Sequence, residues 1–320
     1  MSTPTQAVLT LGAEGDRTTT PFVITPPARR TAGRVEITAE AIVNGATYST
    51  SMQTIAYPHI QTHRLYRPAS IVAQVVDVKV APVRVGYLMG SGDQVPDAIR
   101  RLGVDVTTLS DETIATGDLS GFDTIVVGVR ASEARPAFAA EHARLMDYVR
   151  AGGTLIVQYQ QTDYTARGLP PYPAPPQGRG NSRVTVETAP VQILAPAHPV
   201  FTFPNRITAA DFDGWVQERN LYAFSTFDER YTPLLESADP GEPPQRGAQV
   251  YAEVGKGRYV YTAYSWFRQL PAGVPGAYRQ FANLISLSQA PRTAGSRGQG
   301  AGPQIAAAAP QGSSRSRPSR

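Results

Sequence analysis

The run RVGYLMGSGDQVPDAIRRLG, residues 84–103, leads from an apolar stretch through Gly90-Ser91-Gly92-Asp93 into residues at helical spacing. Amides at a helix N-terminus favour an anion, and paired glycines let a ligand approach the backbone. A nucleotide-phosphate loop needs Lys and then Ser or Thr after its last Gly, whereas Asp93 and Gln94 follow here. A dinucleotide fingerprint needs a third Gly where Val95 stands. Asp93 puts negative charge where a phosphate would sit, so the sequence predicts that it caps the helix and that the turn is structural.

Four other groups have chemically able side chains. His59 and His63 are four apart, a metal-pair spacing on a helix, but Pro58 and the strand-like surroundings argue against a helix and no carboxylate accompanies them. His142 falls in a charged helix and is expected in solvent. His198, between prolines in APAHPVF, is expected to shape a turn. Asp211, Asp213 and Glu218 surround Trp215 in ITAADFDGWVQERN. Paired carboxylates can do acid–base work, and an aromatic face beside a carboxylate suits a sugar. A capped turn with a buried Trp is the competing reading.

The elements that position these residues are legible from period and punctuation. Residues 34–39 alternate apolar and polar, Asn44-Gly45 supplies a hairpin turn, and residues 47–55 and 70–80 read as further strands, a small β-sandwich segment over 21–81. After Pro82 the rhythm becomes strand–helix–strand. VRVGYLM, VDVTTLS, FDTIVVGVR and TLIVQYQ are strands, with helices between them at 96–102 and 134–151. This spacing predicts a parallel sheet in an α/β domain over 82–288. AQVYAEV and RYVYTAYSWF form a hairpin about Gly255-Lys256-Gly257, and GAYRQFANLISL is a closing helix. The Pro/Gly/Arg-rich residues 161–182 read as a lid or an exposed loop. Residues 1–20 are expected to be disordered or extended, and 289–320 to be a low-complexity disordered tail.

In such a sheet ligands bind beyond the carboxyl ends of the strands. Those ends present Ser91 and Asp93, then Arg130, then Gln158 and Tyr159, then Arg268. They hold amides, a phenol and charges, but no Cys and no G-x-S-x-G turn. With Asp213 and Trp215 they form the predicted contact surface, a binding surface without an activated nucleophile.

Composition narrows the function classes. The 320 residues include no Cys, which removes thiol nucleophiles, thiolate metal sites and disulfides. The net charge of +4 is concentrated in residues 291–320, which carry five Arg and no acid; the remainder holds 25 basic against 26 acidic residues. A nucleic-acid-binding body is therefore not expected. No apolar run is long enough to span a bilayer, and MSTPTQAVLTLGAEGDRTTT lacks the regions of a signal peptide.

The stretches RVGYLMGSGDQVPDAIRRLGVDVTTLS, GGTLIVQY, NRITAADFDGWVQERNLY and FRQLPAGVPGAYRQFANLI, with the upstream YPHI, closely resemble the C-terminal region of long bacterial PIG-L (LmbE-like) deacetylases, over roughly residues 20–288. The resemblance implies a β-sandwich linker followed by a flavodoxin-like domain similar to class I glutamine amidotransferases. It also implies a separate zinc deacetylase domain ahead of them and an extracytoplasmic setting. The zinc site of that domain uses a His-Pro-Asp-Asp motif that does not occur here, since Val200-Phe201 follow His198-Pro199. Zinc is thus expected only in a deacetylase domain outside this chain, and no cofactor within it. Where the amidotransferase nucleophile would stand, this sequence has Gln158 or Tyr159. A phenol with a pKa of about 10 is a poor substitute for a thiol. The expected function is a non-catalytic accessory or ligand-binding module for N-acetyl sugars or glycoconjugates, partnered by a deacetylase domain. The alternative is a hydrolase of N-acetylated sugars, its activity supplied by that missing zinc domain or by an acid–base site of its own, with Asp211 or Asp213 as base or zinc at His59 and His63.

Overall fold

A computed structural model of the chain describes residues 1–25, 32–175 and 182–292. The expected tail from 293 onward, and residues 176–181 of the Pro/Gly/Arg-rich segment, lie outside the described residues. Met1–Ala290 form one unit by their contacts.

The first eighty residues are strand and turn. Strands β1 (Gly33–Thr38), β2 (Ala41–Val43), β3 (Ala46–Tyr48), β4 (Thr50–Ile55), β5 (His63–Pro68) and β6 (Ser70–Val75) make three antiparallel ladders, β1 with β6, β2 with β3 and β4 with β5. The Asn44-Gly45 turn forms as expected, with both residues at positive φ (49° and 79°) between β2 and β3. Partner choice differs from the local reading. Residues 33–38 pair with 70–75 rather than with the neighbouring 47–55, because the short β2–β3 hairpin uses up the adjacent chain. No described residue before Ala81 is buried, so these ladders enclose no sandwich core among the described residues.

Beyond Ala81 the core begins. Strands β7 (Val85–Leu88), β8 (Val106–Thr108), β9 (Thr124–Val127), β10 (Thr154–Gln158), β11 (Thr232–Pro233), β12 (Gln249–Val254) and β13 (Gly257–Thr262) form one sheet in the order β8-β7-β9-β10-β13-β12-β11. The first five are mutually parallel, and β12 and β11 continue antiparallel. The molecule is thus a mixed α/β protein. The parallel strands follow the flavodoxin-type order 2-1-3-4-5, which places a topological switch point between β7 and β9. Every residue of β7, β9 and β10 is buried, which is why these strands read as unbroken apolar runs rather than alternating ones.

Helix α1 (Val95–Arg101) starts with Pro96 in its first turn and ends on Arg100 and Arg101, both favourable to its dipole. Helix α2 (Asp111–Thr116) is capped by Ser110, whose Oγ accepts from the Thr113 amide at 3.0 Å. The helix expected over 134–151 is broken into Ala131–Ala134, Pro136–Ala140 and α3 (His142–Ala151). Pro136 interrupts the first two pieces, since it has no amide to donate. Helix α3 packs on β10 and β13, and α4 (Pro275–Ser286) packs on β9, where Thr124 Oγ1 donates to the Ile285 carbonyl at 2.9 Å. Ten of the twelve α4 residues are buried.

The segment expected as a lid or an exposed loop is anchored where it is described. Tyr164 is fully buried between Phe138 and Tyr261, with its hydroxyl 2.6 Å from that of Tyr259, and half-buried Tyr172 donates to the Glu253 carbonyl at 2.6 Å. These two tyrosines on residues 161–175 supply far more apolar contact than a mobile lid tolerates.

Candidate functional site

The turn after β7 answers the phosphate question. Gly90 lies flat against the turn after β9: a Cβ added to it would meet the Val129 carbonyl oxygen at 2.0 Å. Ser91 completes the seam, its amide donating to the same carbonyl at 2.9 Å. The glycines therefore serve contact between the two turns, and the switch-point crevice is closed by the chain itself. Asp93 occupies the helix N-terminus with its own carboxylate, accepting from the Val95 amide at 3.0 Å. The N-cap itself is Gln94, which makes no side-chain cap bond, so Asp93 leads the turn into the helix from one residue ahead of the position the sequence suggested.

Beneath the turn lies a polar cluster. The Tyr87 hydroxyl donates to the Asp93 carboxylate (2.7 and 2.8 Å) and accepts from Gln158 Nε2 at 2.9 Å. Burial raises the Asp93 pKa above its usual 3.8, opposed by the bonds from Tyr87 and Val95. Burial, then the Asp93 charge, pushes the Tyr87 phenol well above 10. Gln158 is fully buried, and its Oε1 has no hydrogen-bond partner. Gln160 pins the neighbouring turns, accepting from the Ser132 amide and donating to the Gly128 carbonyl. Asp93 and Gln158 are thus set below the surface and hold it together.

The surface is formed by half-buried Tyr222 and Phe267, packed on Tyr159, which is itself buried at 8% exposure. Its carbonyl accepts from the Arg130 amide at 2.9 Å, which places the two residues side by side. Its ring lies 5.2 Å from Tyr222 and is stacked on Phe267 at 5.9 Å. Burial raises its pKa above 10, and Tyr222 adds to this, so the phenol stays protonated at neutral pH and cannot replace a thiolate. Arg130 and Tyr222 adopt positive φ (56° and 61°), a conformation that costs a non-glycine residue energy and clusters at functional sites. Arg130 grips Glu133 through two nitrogens (2.6 and 3.0 Å). On the other side Arg268 lies over the Phe267 ring at 4.9 Å and pairs with Glu218 at 2.7 Å. The mouth is an aromatic trio between two guanidinium–carboxylate pairs.

Of the predicted surface, Ser91, Arg130 and Arg268 reach this region, and Asp93, Gln158 and Tyr159 underlie it. Trp215 does not present a face: it is 4% exposed, wedged among Phe212, Tyr264 and Trp266, with the Arg219 guanidinium 5.5 Å from its ring. Asp213 is exposed on the same turn, whose Val216 amide donates to Gln269 Oε1 at 2.8 Å. Asp211 is committed elsewhere, to the Thr208 amide at 2.8 Å and to Arg279 at 2.7 Å. Sequence reasoning missed Tyr222, and it placed Phe267 within the strand end 265–269 without singling it out. Phe267 follows a strand end and could have been singled out on that ground, whereas Tyr222 follows a two-residue strand with no periodic signal.

The histidines gather no metal site. His59 stacks on Tyr57 and His63 lies on β5, both exposed, and no group of three ligating side chains exists among the described residues. His142, expected in solvent, is half-buried edge-on to Phe138, and burial lowers its pKa to about 4. His198 shapes a turn as expected, its Nδ1 accepting from the Val200 amide.

A groove of about 580 Å³ lies at the opposite, amino-terminal end of the sheet, between Asp123, Arg144, Tyr148 and Gln289. Its charges are paired, as those at the mouth are. Asp123 pairs with Arg84, Asp147 with Arg150, and Arg144 donates to the Ile114 and Gly117 carbonyls. The mouth about Tyr159 is the better candidate because its aromatic rings and charges converge at strand ends.

No protein-family model matches the sequence, and no curated protein matches it. Among solved structures the chain is similar to a cytoplasmic protein from Salmonella typhimurium, at 14% identity and a TM-score of 0.42, over 74% of this chain and 94% of that one. It is also similar to a ThuA-like protein from Bacteroides uniformis, at 11% identity and a TM-score of 0.44, over 64% and 90% of the two chains. A GMP synthase-type protein from Thermoplasma acidophilum is similar at 11% identity and a TM-score of 0.39, over 65% and 95%. No helix among the described residues is long and apolar enough to cross a membrane.

Proposed function

We propose that this chain is a non-catalytic ligand-binding module for N-acetyl sugars or glycoconjugates. In this reading it serves as an accessory to a PIG-L/LmbE-type deacetylase, on an amidotransferase-like scaffold that has lost its nucleophile. The observation that carries the binding part is the partly exposed Tyr222 and Phe267, seated on buried Tyr159 and flanked by Arg130–Glu133 and Arg268–Glu218. Aromatic faces pack on the apolar face of a pyranose, and fixed carboxylates and guanidiniums satisfy its hydroxyls and amide. The closed Tyr87–Asp93–Gln158 cluster below supports the non-catalytic part: it holds a carboxylate and a phenol but no activated attacking atom. The deacetylase association rests on the sequence resemblance alone.

Saturation-transfer NMR with N-acetylglucosamine and its short β-linked oligomers tests the reading directly. The full chain is expected to bind, and Tyr222→Ala is expected to weaken binding at least about tenfold, the scale of one lost aromatic contact. Binding that survives Tyr222→Ala unchanged, or no saturation transfer to any N-acetyl sugar, would retire the proposal. Release of acetate by the purified chain would overturn its non-catalytic part.

A further inference from the structure

The ladder of β1 and β6 has a face that nothing covers and an edge that nothing pairs among the described residues. Val35 and Ile37 share one side with Ile71 and Ala73, while Arg34 and Glu36 share the other with Gln74 and Val72. The apolar side stays open, with Val35 50% and Ile71 66% exposed. A two-stranded ladder of this kind is marginal on its own.

The phase of the hydrogen bonds shows which groups the free edge offers. The Ala39 amide donates to the Ala69 carbonyl at 2.8 Å, continuing the register of β1 on β6. Antiparallel bonding alternates along a strand, so Val35 and Ile37 bond inward and Arg34 and Glu36 turn their amides and carbonyls outward. Among the described residues β1 pairs with β6 alone. No proline or lysine lies on β1 to block that edge.

We infer that the outer edge of β1 pairs with β1 of a second copy of this chain, antiparallel and centred on Val35. In this register Arg34 of each copy lies across from Glu36 of the other, so two opposite-charge pairs form about the two-fold axis. Both side chains are exposed and neither takes part in an ion pair among the described residues. The centre is a non-hydrogen-bonded pair, the closer of the two kinds, which brings the two Val35 side chains together on the apolar side. Registers centred on Arg34 or on Glu36 would oppose like charges, and a one-residue slip would set apolar side chains against polar ones. Charge order therefore selects one symmetric register. A six-residue edge buries less than a standard interface, so the dimer is weak and depends on concentration.

Sedimentation velocity on the full chain over about a hundredfold range of concentration tests this. The wild type is expected to shift from monomer toward dimer. Arg34→Glu and Glu36→Arg, each of which opposes two like-charge pairs, are expected to weaken association more than about tenfold. The double reversal Arg34→Glu with Glu36→Arg restores both pairs and is expected to dimerise like the wild type. Circular dichroism confirms that each variant is folded. A wild type that stays monomeric throughout overturns the inference. So does a dimer indifferent to Arg34→Glu, or a folded double reversal that remains monomeric.

Discussion

The Tyr87 hydroxyl donates to the Asp93 carboxylate at 2.7 Å while accepting from Gln158 Nε2 at 2.9 Å, and so ties β7, the first turn and β10 through one buried oxygen. Tyr87→Phe removes that oxygen and leaves a buried carboxylate and a buried amide short of partners. The expected loss is about 1–3 kcal/mol in urea unfolding. Asp93→Asn keeps an acceptor for Tyr87 and Val95 and removes the charge whose burial raises its pKa. Its cost is expected to be smaller. The sign with pH follows from the same shift. A carboxyl whose folded pKa lies above 3.8 takes up a proton on folding, so its contribution is full below 3.8 and fades as pH rises through the folded value. Relative to Asp93→Asn, the wild type should lose stability over that rise. A pH-independent difference between the two would contradict the assignment.

Asp211 looked like a candidate base beside Trp215, and its contacts make it a brace. Its Oδ2 accepts from the Thr208 amide, closing a capping box, and its Oδ1 accepts from Arg279 Nε at 2.7 Å. Only 9% of the Asp211 side chain and 24% of that of Arg279 are exposed. Asp211→Ala is expected to destabilise by about 1–3 kcal/mol, because it removes a cap and leaves the mostly buried Arg279 guanidinium with only the Asp77 and Arg206 carbonyls as partners. A double-mutant cycle with Arg279→Met should return a coupling above about 1 kcal/mol. Additive losses would show that the pair is incidental.

These cases mark where sequence reading works. The sheet strands were legible because full burial on both faces leaves unbroken runs such as Thr154–Gln158. The Asn44-Gly45 turn was legible because its chemistry is local. The partner of Asp211 was not, since Arg279 lies 68 positions away and no short window links them. The pairing of β1 with β6 rather than with nearer strands is likewise a long-range choice. Trp215 stands between exposed Gly214 and half-buried Val216, and a single aromatic carries no period from which its burial could be read. Of the candidate mouth, Arg130, Tyr159 and Arg268 followed from the rule that strand ends bind ligands, whereas Tyr222 needed the fold to bring it there.

His198 supplies an acid limb of stability. Its Nδ1 accepts from the Val200 amide, its ring meets Tyr251 at 4.5 Å, and Arg258 and Glu253 are the nearby charges. Burial, with Arg258 adding to it, lowers the pKa from 6.5 to about 4. The unfolded chain takes up the proton first, so stability is full above 6.5 and is lost as pH falls from 6.5 to about 4. His198→Asn keeps an acceptor for the Val200 amide and removes the titration. Urea midpoints across that window are expected to fall less steeply in the variant. His142, lowered to about 4 as well, accounts for a slope that remains. Identical slopes in variant and wild type would show that His198 is protonated as easily in the folded state.

The two glycine readings of the first turn separate in a pair of substitutions. At Gly90 an added Cβ would lie 2.0 Å from the Val129 carbonyl oxygen, and that oxygen is fixed by the Ser91 amide. Backbone must therefore move, and Gly90→Ala is expected to cost about 2–3 kcal/mol and to disturb the neighbouring Tyr87–Asp93–Gln158 cluster. Gly121 has no atom within 4 Å of an added Cβ. Gly121→Ala is expected to be neutral or to stabilise by up to about 1 kcal/mol through the unfolded chain. A turn kept open for a ligand would accept a methyl group at Gly90 with little loss of stability. Thermal unfolding in which the two variants behave alike would return the ligand-cradling reading of this loop to contention.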